Sequence, residues 1–347
     1  MPTPDEVLSV LTKVCDRQMI ADVAVKENGI ASFTLLLVDG AKNPQRDRLI
    51  NECKAAVKSL AGIKDTWVKI GTLEQPPDQK PQGGIGQIKQ IIAVSSGKGG
   101  VGKTTVAVNL AVSLADMGAK VGIIDADIYG PNVPVMLGMQ DSKLQVWRTE
   151  QGTDVIEPAF NYGVKMVSMA FLIERDQPVI WRGPMLNGVI NQFFNQVDWG
   201  QLDYLVVDLP PGTGDAQITL VQSAPMAGAI IVTTPQNVAL LDARKGLKMF
   251  QNLGVRVLGI VENMSYFIPP DLPDRSYDIF GSGGGKKTAL ELGVPLLGCI
   301  PLEIDLRTGG DRGVPIVLSQ PESASAKALR SVAQDLVARL AAEVKKP

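Results

Sequence analysis

Residues 95–105 read Ser-Ser-Gly-Lys-Gly-Gly-Val-Gly-Lys-Thr-Thr. An apolar run, Ile91-Ile92-Ala93-Val94, precedes them, and a helix-patterned stretch, TTVAVNLAVSLADMG over 104–118, overlaps their end. From Gly97 to Thr104 the spacing is that of a phosphate-binding loop: glycine, four residues, glycine, lysine, threonine, between a strand and a helix. The chemistry asks for these residue types. Glycines let successive backbone N–H groups point inward around phosphate oxygens. The helix N-terminus adds the positive end of its dipole. Lys103 is expected to reach the β- and γ-phosphates, and the Thr104 hydroxyl to ligate Mg²⁺. The expected nucleotide contacts are Gly97, Lys98, Gly99, Gly100, Val101, Gly102, Lys103, Thr104 and Thr105. A dinucleotide reading, on Gly97, Gly99 and Gly102 with Asp125 ending the next strand, leaves Lys98, Lys103 and Thr104 without a role.

Outward from the loop, apolar runs at 91–96, 121–127, 165–170, 204–209, 229–234, 257–263 and 296–301 mostly alternate with helical stretches. Buried β-branched runs spaced by helices predict a mostly parallel sheet covered on both faces. Ligands of such sheets bind at the carboxyl ends of the strands. Ahead of this lies a small α-β-β-α-β unit over 1–71. Val7, Leu8, Val10, Leu11 and Val14 have helical spacing, and 22–38 read as a hairpin turning at Glu27-Asn28-Gly29. A second helix is expected from near Pro44 and a last strand over 64–70. Residues 72–89, TLEQPPDQKPQGGIGQIK, read as a linker. The expected architecture is a small α+β domain over 1–71 followed by an α/β P-loop NTPase domain over 90–347.

Carboxylates sit where this sheet would present them. Asp125 and Asp127 end one strand and share a face. Asp208 ends Leu205-Val206-Val207, the pattern in which a carboxylate holds Mg²⁺, often through water. Gly212 and Gly214 follow it, as a mobile sensor of the γ-phosphate requires. The chain has no histidine, which removes the commonest general base and metal ligand. Orienting the attacking water therefore falls to Asp127.

Composition narrows the function further. A net charge of -2 gives no general pull toward nucleic acid. The three cysteines, Cys15, Cys53 and Cys299, form no CxxC, so neither a disulfide framework nor a zinc site is expected. Their rarity suits a reducing, cytoplasmic setting. The N-terminus does not read as a signal peptide, and no apolar run approaches the ~20 residues of a membrane span. Leu329, Val332, Leu336, Leu340 and Val344 form a C-terminal helical stripe. The opposite face mixes acids with bases and carries no Trp or Phe, which favours packing on the chain's own sheet over a membrane surface.

Lys98, five residues before Lys103 in KGGVGKTT, makes the loop resemble the deviant Walker A motif of the MinD/ParA/Mrp group. Within that group the chain is similar to the Mrp/ApbC family of iron–sulfur cluster carrier ATPases. The supporting strings are SSGKGGVGKTTVAVNLA, DADIYGPNVP, WRGPML, DYLVVDLPPGTGD, GIVENMSYF and IFGSGGG, spread from 91 to about 320. The resemblance implies ATP and Mg²⁺ as cofactors and a homodimer with two nucleotides between its subunits. It implies that Lys98 reaches the partner's phosphates, Lys103 is the loop lysine, and Thr104 and Asp208 lie on the Mg²⁺ side. Asp127 becomes the first switch carboxylate, and Asn263 and the segment from Pro301 contact adenine. A [4Fe–4S] cluster is the implied cargo, with apo iron–sulfur clients and assembly machinery as partners. Residues 1–71 resemble a small domain related to cytosolic iron–sulfur assembly factors.

The sequence departs from this family at one place that matters. A Cys-x-x-Cys is expected between ENMS and FGxGG, but Ser265 to Gly281 read SYFIPPDLPDRSYDIFG, without cysteine. The Cys-Pro of the small domain is replaced by Lys42-Asn43-Pro44. The iron–sulfur ligands are therefore unassigned, and the alternative is an ATP-switched dimeric adaptor without its own cluster. A partitioning or membrane-cycling ATPase is the third reading. Arg182, before Gly183-Pro184 at an expected helix start, gains no role.

Overall fold

A computed structural model of the chain describes residues 2–12, 14–15, 19–26, 29–37, 46–72, 84–149, 152–172, 183–272 and 274–344. It divides into two compact units, Met1–Lys80 and Pro81–Pro347. In the first, α1 (Pro4–Leu11) starts with a capping box. The Thr3 amide donates to Glu6 Oε2 at 2.8 Å, and the Glu6 amide donates to Thr3 Oγ1 at 3.3 Å. β1 (Ile20–Val25) pairs antiparallel with β2 (Ile30–Leu37). After α2 (Arg46–Lys58), β3 (Asp65–Thr72) pairs parallel with β2. Val7, Leu11, Phe33, Leu35, Cys53 and Val57 fill the core of this unit. The expected turn at Glu27-Asn28 and the start near Pro44 lie outside the described residues.

The 72–89 stretch holds ordered structure at both ends. Thr72 still belongs to β3, and β4 (Ile88–Ser96) begins before the stretch is over. Just ahead of β4 the Gly84 amide donates to the Val197 carbonyl at 2.9 Å. Residues 73–83 between them lie outside the described residues.

The second unit runs from β4 through α3 (Lys103–Asp116), β5 (Val121–Asp125) and α4 (Val133–Met136). A two-stranded antiparallel ribbon follows, β6 (Gln145–Arg148) with β7 (Asp154–Glu157). Then come β8 (Ala159–Asn161), β9 (Val164–Ser168), α5 (Gly183–Asn195), β10 (Leu202–Asp208) and α6 (Asp215–Gln222). The chain continues through β11 (Gly228–Thr233), α7 (Asn237–Asn252), β12 (Val257–Phe267), α8 (Gly284–Leu292) and β13 (Leu296–Leu302). It closes with α9 (Ile304–Arg312), α10 (Ile316–Ser319) and α11 (Ala324–Val344). The large sheet has the order β13-β12-β11-β4-β10-β5-β9-β8 and is parallel except for the β8–β9 pair.

Side-chain alternation sorts the sheet's residues between two cores. On β4, Ile92 and Val94 pack with α3 and α11, whereas Ile91 and Ala93 pack with α5, α6 and α7. The C-terminal stripe is fully engaged where it is described: Leu329, Val332, Leu336 and Leu340 lie buried in the first core. Each such leucine removed from water contributes roughly 1.5–3 kcal/mol. Among the described residues no helix is long and apolar enough to cross a membrane.

The register places the chemistry. Asp208 is the Cα partner of Asp125 on one side and of Val94 on the other. The ends of β5 and β10 thus finish level, and β4 between β10 and β11 runs two residues further, to Ser96, before the loop begins at Gly97.

Candidate nucleotide site

The phosphate loop connects β4 to α3. Gly100 and Gly102 have φ of 79° and 80°, the left-handed region where a side chain is strained. Gly97 has a different reason to be glycine. A Cβ there would stand 2.2 Å from the Asp242 carbonyl carbon in α7, so Gly97 lets a neighbouring helix backbone approach. A Cβ on Gly99 would meet nothing within 4 Å. A cavity of about 360 Å³ opens here, lined by Gly99, Gly100, Lys103, Thr104, Asp127 and Tyr129 among others. That volume lies in the range of small-molecule sites.

Lys103 sits at the floor with its side chain 6% exposed. Its Nζ is 2.7 Å from Asp208 Oδ1 and 3.5 Å from Asp127 Oδ2. The Thr104 hydroxyl donates to Asp208 Oδ2 at 2.7 Å. One carboxylate thus spans the two groups expected to hold phosphate and Mg²⁺. Asp127 is held by its own turn: its Oδ1 accepts from the Tyr129 and Gly130 amides at 3.1 and 3.3 Å. The turn after Asp208 touches the end of β4 directly: the Gly212 amide donates to the Ser96 carbonyl, just ahead of the loop, at 2.9 Å.

Asp125 is separated from its neighbour in role. It is fully buried and does not line the cavity, while Asp127 does. Its Oδ2 accepts from Ser168 Oγ at 2.8 Å and the Val133 amide at 3.1 Å, and its Oδ1 from the Asp127 amide at 3.3 Å. These bonds fix the β5–α4 turn that carries Asp127. Burial, with the charge of Asp208 beside it, pushes the Asp125 carboxyl up to about 8. Burial also raises Asp208, against the opposing pull of Lys103 and Thr104.

For Mg²⁺ the donor set fits. Hard oxygens from Thr104, Asp208 and Asp127 converge on one ammonium, leaving negative charge in surplus. Among the described residues no group of three or more His, Cys, Asp or Glu side chains is placed to cage an ion alone. Mg²⁺ is ordinarily held by one or two protein ligands plus nucleotide phosphates and water.

Other expected contacts lie further away. Lys98 is half-exposed on the loop and does not line the cavity; its carbonyl accepts from Ser96 Oγ at 2.9 Å. Asn263 is buried, and its Nδ2 donates to the Val101 carbonyl at 2.9 Å, so this residue clamps the loop from β12. Pro301 is buried and its carbonyl accepts from Ser325 Oγ at 3.2 Å on α11. Gly97 and Val101 are also absent from the cavity lining, whereas Thr105 is part of it. Arg182 lies outside the described residues.

Glu262 is a residue that the sequence reading passed over. It is buried beside Asn263, its Oε2 accepts from the Gly285 amide and its Oε1 from Ser265 Oγ at 2.9 Å. Adjacent residues of one strand thus hold the phosphate loop and the start of α8. The signal in the sequence was an acid directly after the apolar run 257–261. Cys299 Sγ lies 3.9 Å from Glu262 Oε1, and burial followed by the Glu262 charge raises its thiol. The excursion after Ser265 closes on itself through the Phe267 and Tyr277 backbones, at 2.9 and 2.8 Å.

A family model described as ParA, the NUBPL iron-transfer P-loop NTPase, matches residues 87–337. An iron–sulfur cluster carrier protein of Synechocystis is 62% identical over 354 residues, spanning 98% of this chain and 98% of its own. Among solved structures, a nucleotide-binding protein of Archaeoglobus fulgidus in complex with ADP superposes with a TM-score of 0.59 at 38% identity. That match covers 69% of this chain and 91% of the other. The septum site-determining protein MinD of Pyrococcus horikoshii, complexed with Mg-ADP, has a TM-score of 0.54 at 25% identity, covering 75% of this chain and 100% of the other.

Proposed function

The chain belongs to the ParA/NUBPL family of iron-transfer P-loop NTPases, and on that premise we propose that it binds and hydrolyses Mg-ATP and uses the cycle to carry iron–sulfur clusters to acceptor proteins. The observation that carries the first half is the Lys103–Asp208–Thr104 constellation at the cavity floor, with Asp127 3.5 Å from the same ammonium. An incoming triphosphate offers oxygens that compete with Asp208 for Lys103. Asp208, released from the lysine, stays beside Thr104 on the Mg²⁺ side. The cation, when bound, neutralises charge on the transferring phosphoryl group. Asp127, fixed by the amides of its own turn, orients the attacking water. Because the Gly212 amide holds the Ser96 carbonyl, a change at the γ-phosphate reaches the turn after Asp208, with Gly212 and Gly214, through one hydrogen bond.

Lys98 is assigned to the phosphates of a second copy of the chain, since it is half-exposed and outside its own cavity. The working unit is then a homodimer. Residues 1–71 are assigned to the family of iron–sulfur assembly domains, and Asn263 to holding the loop beneath the adenine side. The cargo is an iron–sulfur cluster, a substrate that the chain takes up and hands on. The stretch 264–280 contains no cysteine, so most of the thiolates that hold the cluster come from the client.

The test is anaerobic reconstitution, analysis for iron and sulfide, and transfer to an apo acceptor with and without ATP. The proposal expects a labile, substoichiometric cluster whose transfer depends on ATP. Protein that never takes up iron or sulfide would favour the adaptor reading, in which the same ATPase acts without cargo of its own.

A further inference from the structure

Cys15 and Cys53 are 38 residues apart in sequence, yet their sulfurs lie 3.9 Å from one another in the N-terminal unit. Cys15 sits on the turn that closes α1. Its amide donates to the Leu11 carbonyl at 3.0 Å, and its thiol leans back toward the same oxygen at 3.7 Å. Cys53 lies in the middle of α2 and is fully buried among Val7, Leu11, Leu35 and Val57. The two thiols meet where the turn after α1 touches α2.

From this juxtaposition we propose that Cys15 and Cys53 form a reversible intramolecular disulfide when the chain meets a peroxide. Two chemistries compete for sulfurs so placed. Two thiolates on one tetrahedral metal ion stand about 3.8 Å apart, which the spacing also matches. A metal, however, requires both thiols to ionise in an apolar core, and burial of charge there is costly. Burial, then Cys15 and Glu52 beside it, push the Cys53 thiol up to about 12, the direction that disfavours a dithiolate. A disulfide carries no charge and suits the same surroundings. Closing to the bonded distance of about 2.05 Å needs the sulfurs to approach by under 2 Å. Cys15, half-buried on a turn, supplies that movement.

The steps balance without a further reagent. The Cys15 sulfur attacks one peroxide oxygen, the O–O bond breaks, and the leaving hydroxide takes the thiol proton as water, giving a sulfenic acid. The Cys53 sulfur then attacks the Cys15 sulfur. The S–O bond breaks, and the departing hydroxide leaves as water with the Cys53 proton. Two thiols lose two electrons and one peroxide becomes two waters. A dithiol reductant reverses the link by exchange. Of the chain's three cysteines, the oxidised form keeps only Cys299 as a thiol. That consequence for cargo rests on the carrier reading; the disulfide itself does not.

The test treats the reduced full chain with a small excess of hydrogen peroxide, blocks remaining thiols with an alkylating reagent, and maps peptides without reduction. The expected product is a monomer lighter by two hydrogens, with a Cys15–Cys53 linked peptide, an alkylated Cys299 and full reversal by dithiothreitol. In Cys53→Ala the sulfenic acid should persist at Cys15 and be trapped by dimedone; should that variant not fold, the wild-type map decides alone. Oxidation of Cys15 to sulfinic acid with Cys53 unlinked, or a predominantly intermolecular link, would overturn the proposal. So would one metal ion per chain that shields both thiols from alkylation until a chelator removes it. Equal iron loading of the oxidised and reduced chains would overturn the consequence for cargo while leaving the disulfide.

Discussion

Replacing Gly97 and Gly99 by alanine, one at a time, separates two reasons for glycine in a single loop. A Cβ at Gly97 lies 2.2 Å from the Asp242 carbonyl carbon, and ordinary contact begins near 3.4 Å, so α7 and the loop must part by about 1.2 Å. The obstruction is backbone and no rotamer change relieves it. Overpacking of this kind costs roughly 1–3 kcal/mol. For a unit of this size that lowers the melting temperature by roughly 2–12 °C. Displacing the loop by about an ångström also reduces turnover on the order of 10²-fold. Gly99 has open space around its Cβ position and no positive φ, so Gly99→Ala should leave stability within about 0.5 kcal/mol. Its methyl instead enters the cavity, and nucleotide affinity should fall. Thermal unfolding and titration with a fluorescent nucleotide read both variants. Equal destabilisation by the two substitutions, or a neutral Gly97→Ala, would refute the division of roles.

Lys98→Ala should keep nucleotide binding and lose turnover. Mixing it with Asp127→Ala subunits should restore about a quarter of wild-type turnover, because random pairing makes half the dimers mixed and each repairs one of two sites; no recovery in demonstrably mixed dimers would place the lysine's action in its own subunit. Asp208→Asn should cost less stability than the roughly 3–5 kcal/mol of a broken buried ion pair, because it also relieves the repulsion that raises Asp125. A full loss on denaturant unfolding would argue against that repulsion. Leu336→Ala, fully buried on α11, should cost about 2–5 kcal/mol without changing nucleotide affinity, and a loss below about 1 kcal/mol would show the helix loosely docked.

The parts of the fold legible in sequence were those with a single physical solution. Apolar β-branched runs such as Ile91–Val94 and Leu205–Val207 are buried on both faces, so their pattern predicts central parallel strands, and β4 and β10 are adjacent. The ribbon of β6 and β7 escaped notice because Gln145–Arg148 and Asp154–Glu157 are four residues each and place their two apolar residues side by side, without the alternation that marks a strand. The ends of the 72–89 stretch were read by composition, whereas Thr72 and Ile88 are held by strand pairing that composition does not encode. At the site, the loop and the carboxylates after the strands were readable because phosphate chemistry fixes both residue type and spacing. The clamp of Asn263 on Val101, the bracing of α8 by Glu262 and the meeting of Cys15 with Cys53 depend on long-range packing. No local pattern carries such information.

The most direct measurement of the central claim is phosphate release from ATP by the wild type, Lys103→Ala and Lys103→Arg, with and without Mg²⁺. Near-ultraviolet circular dichroism confirms the fold of each, since removing the lysine leaves Asp208 buried without its partner. The account predicts turnover by the wild type that stops when Mg²⁺ is chelated, and a fall of about 10²–10³-fold or more in both folded variants. Wild-type rates in folded Lys103→Ala, or hydrolysis indifferent to Mg²⁺, would contradict it.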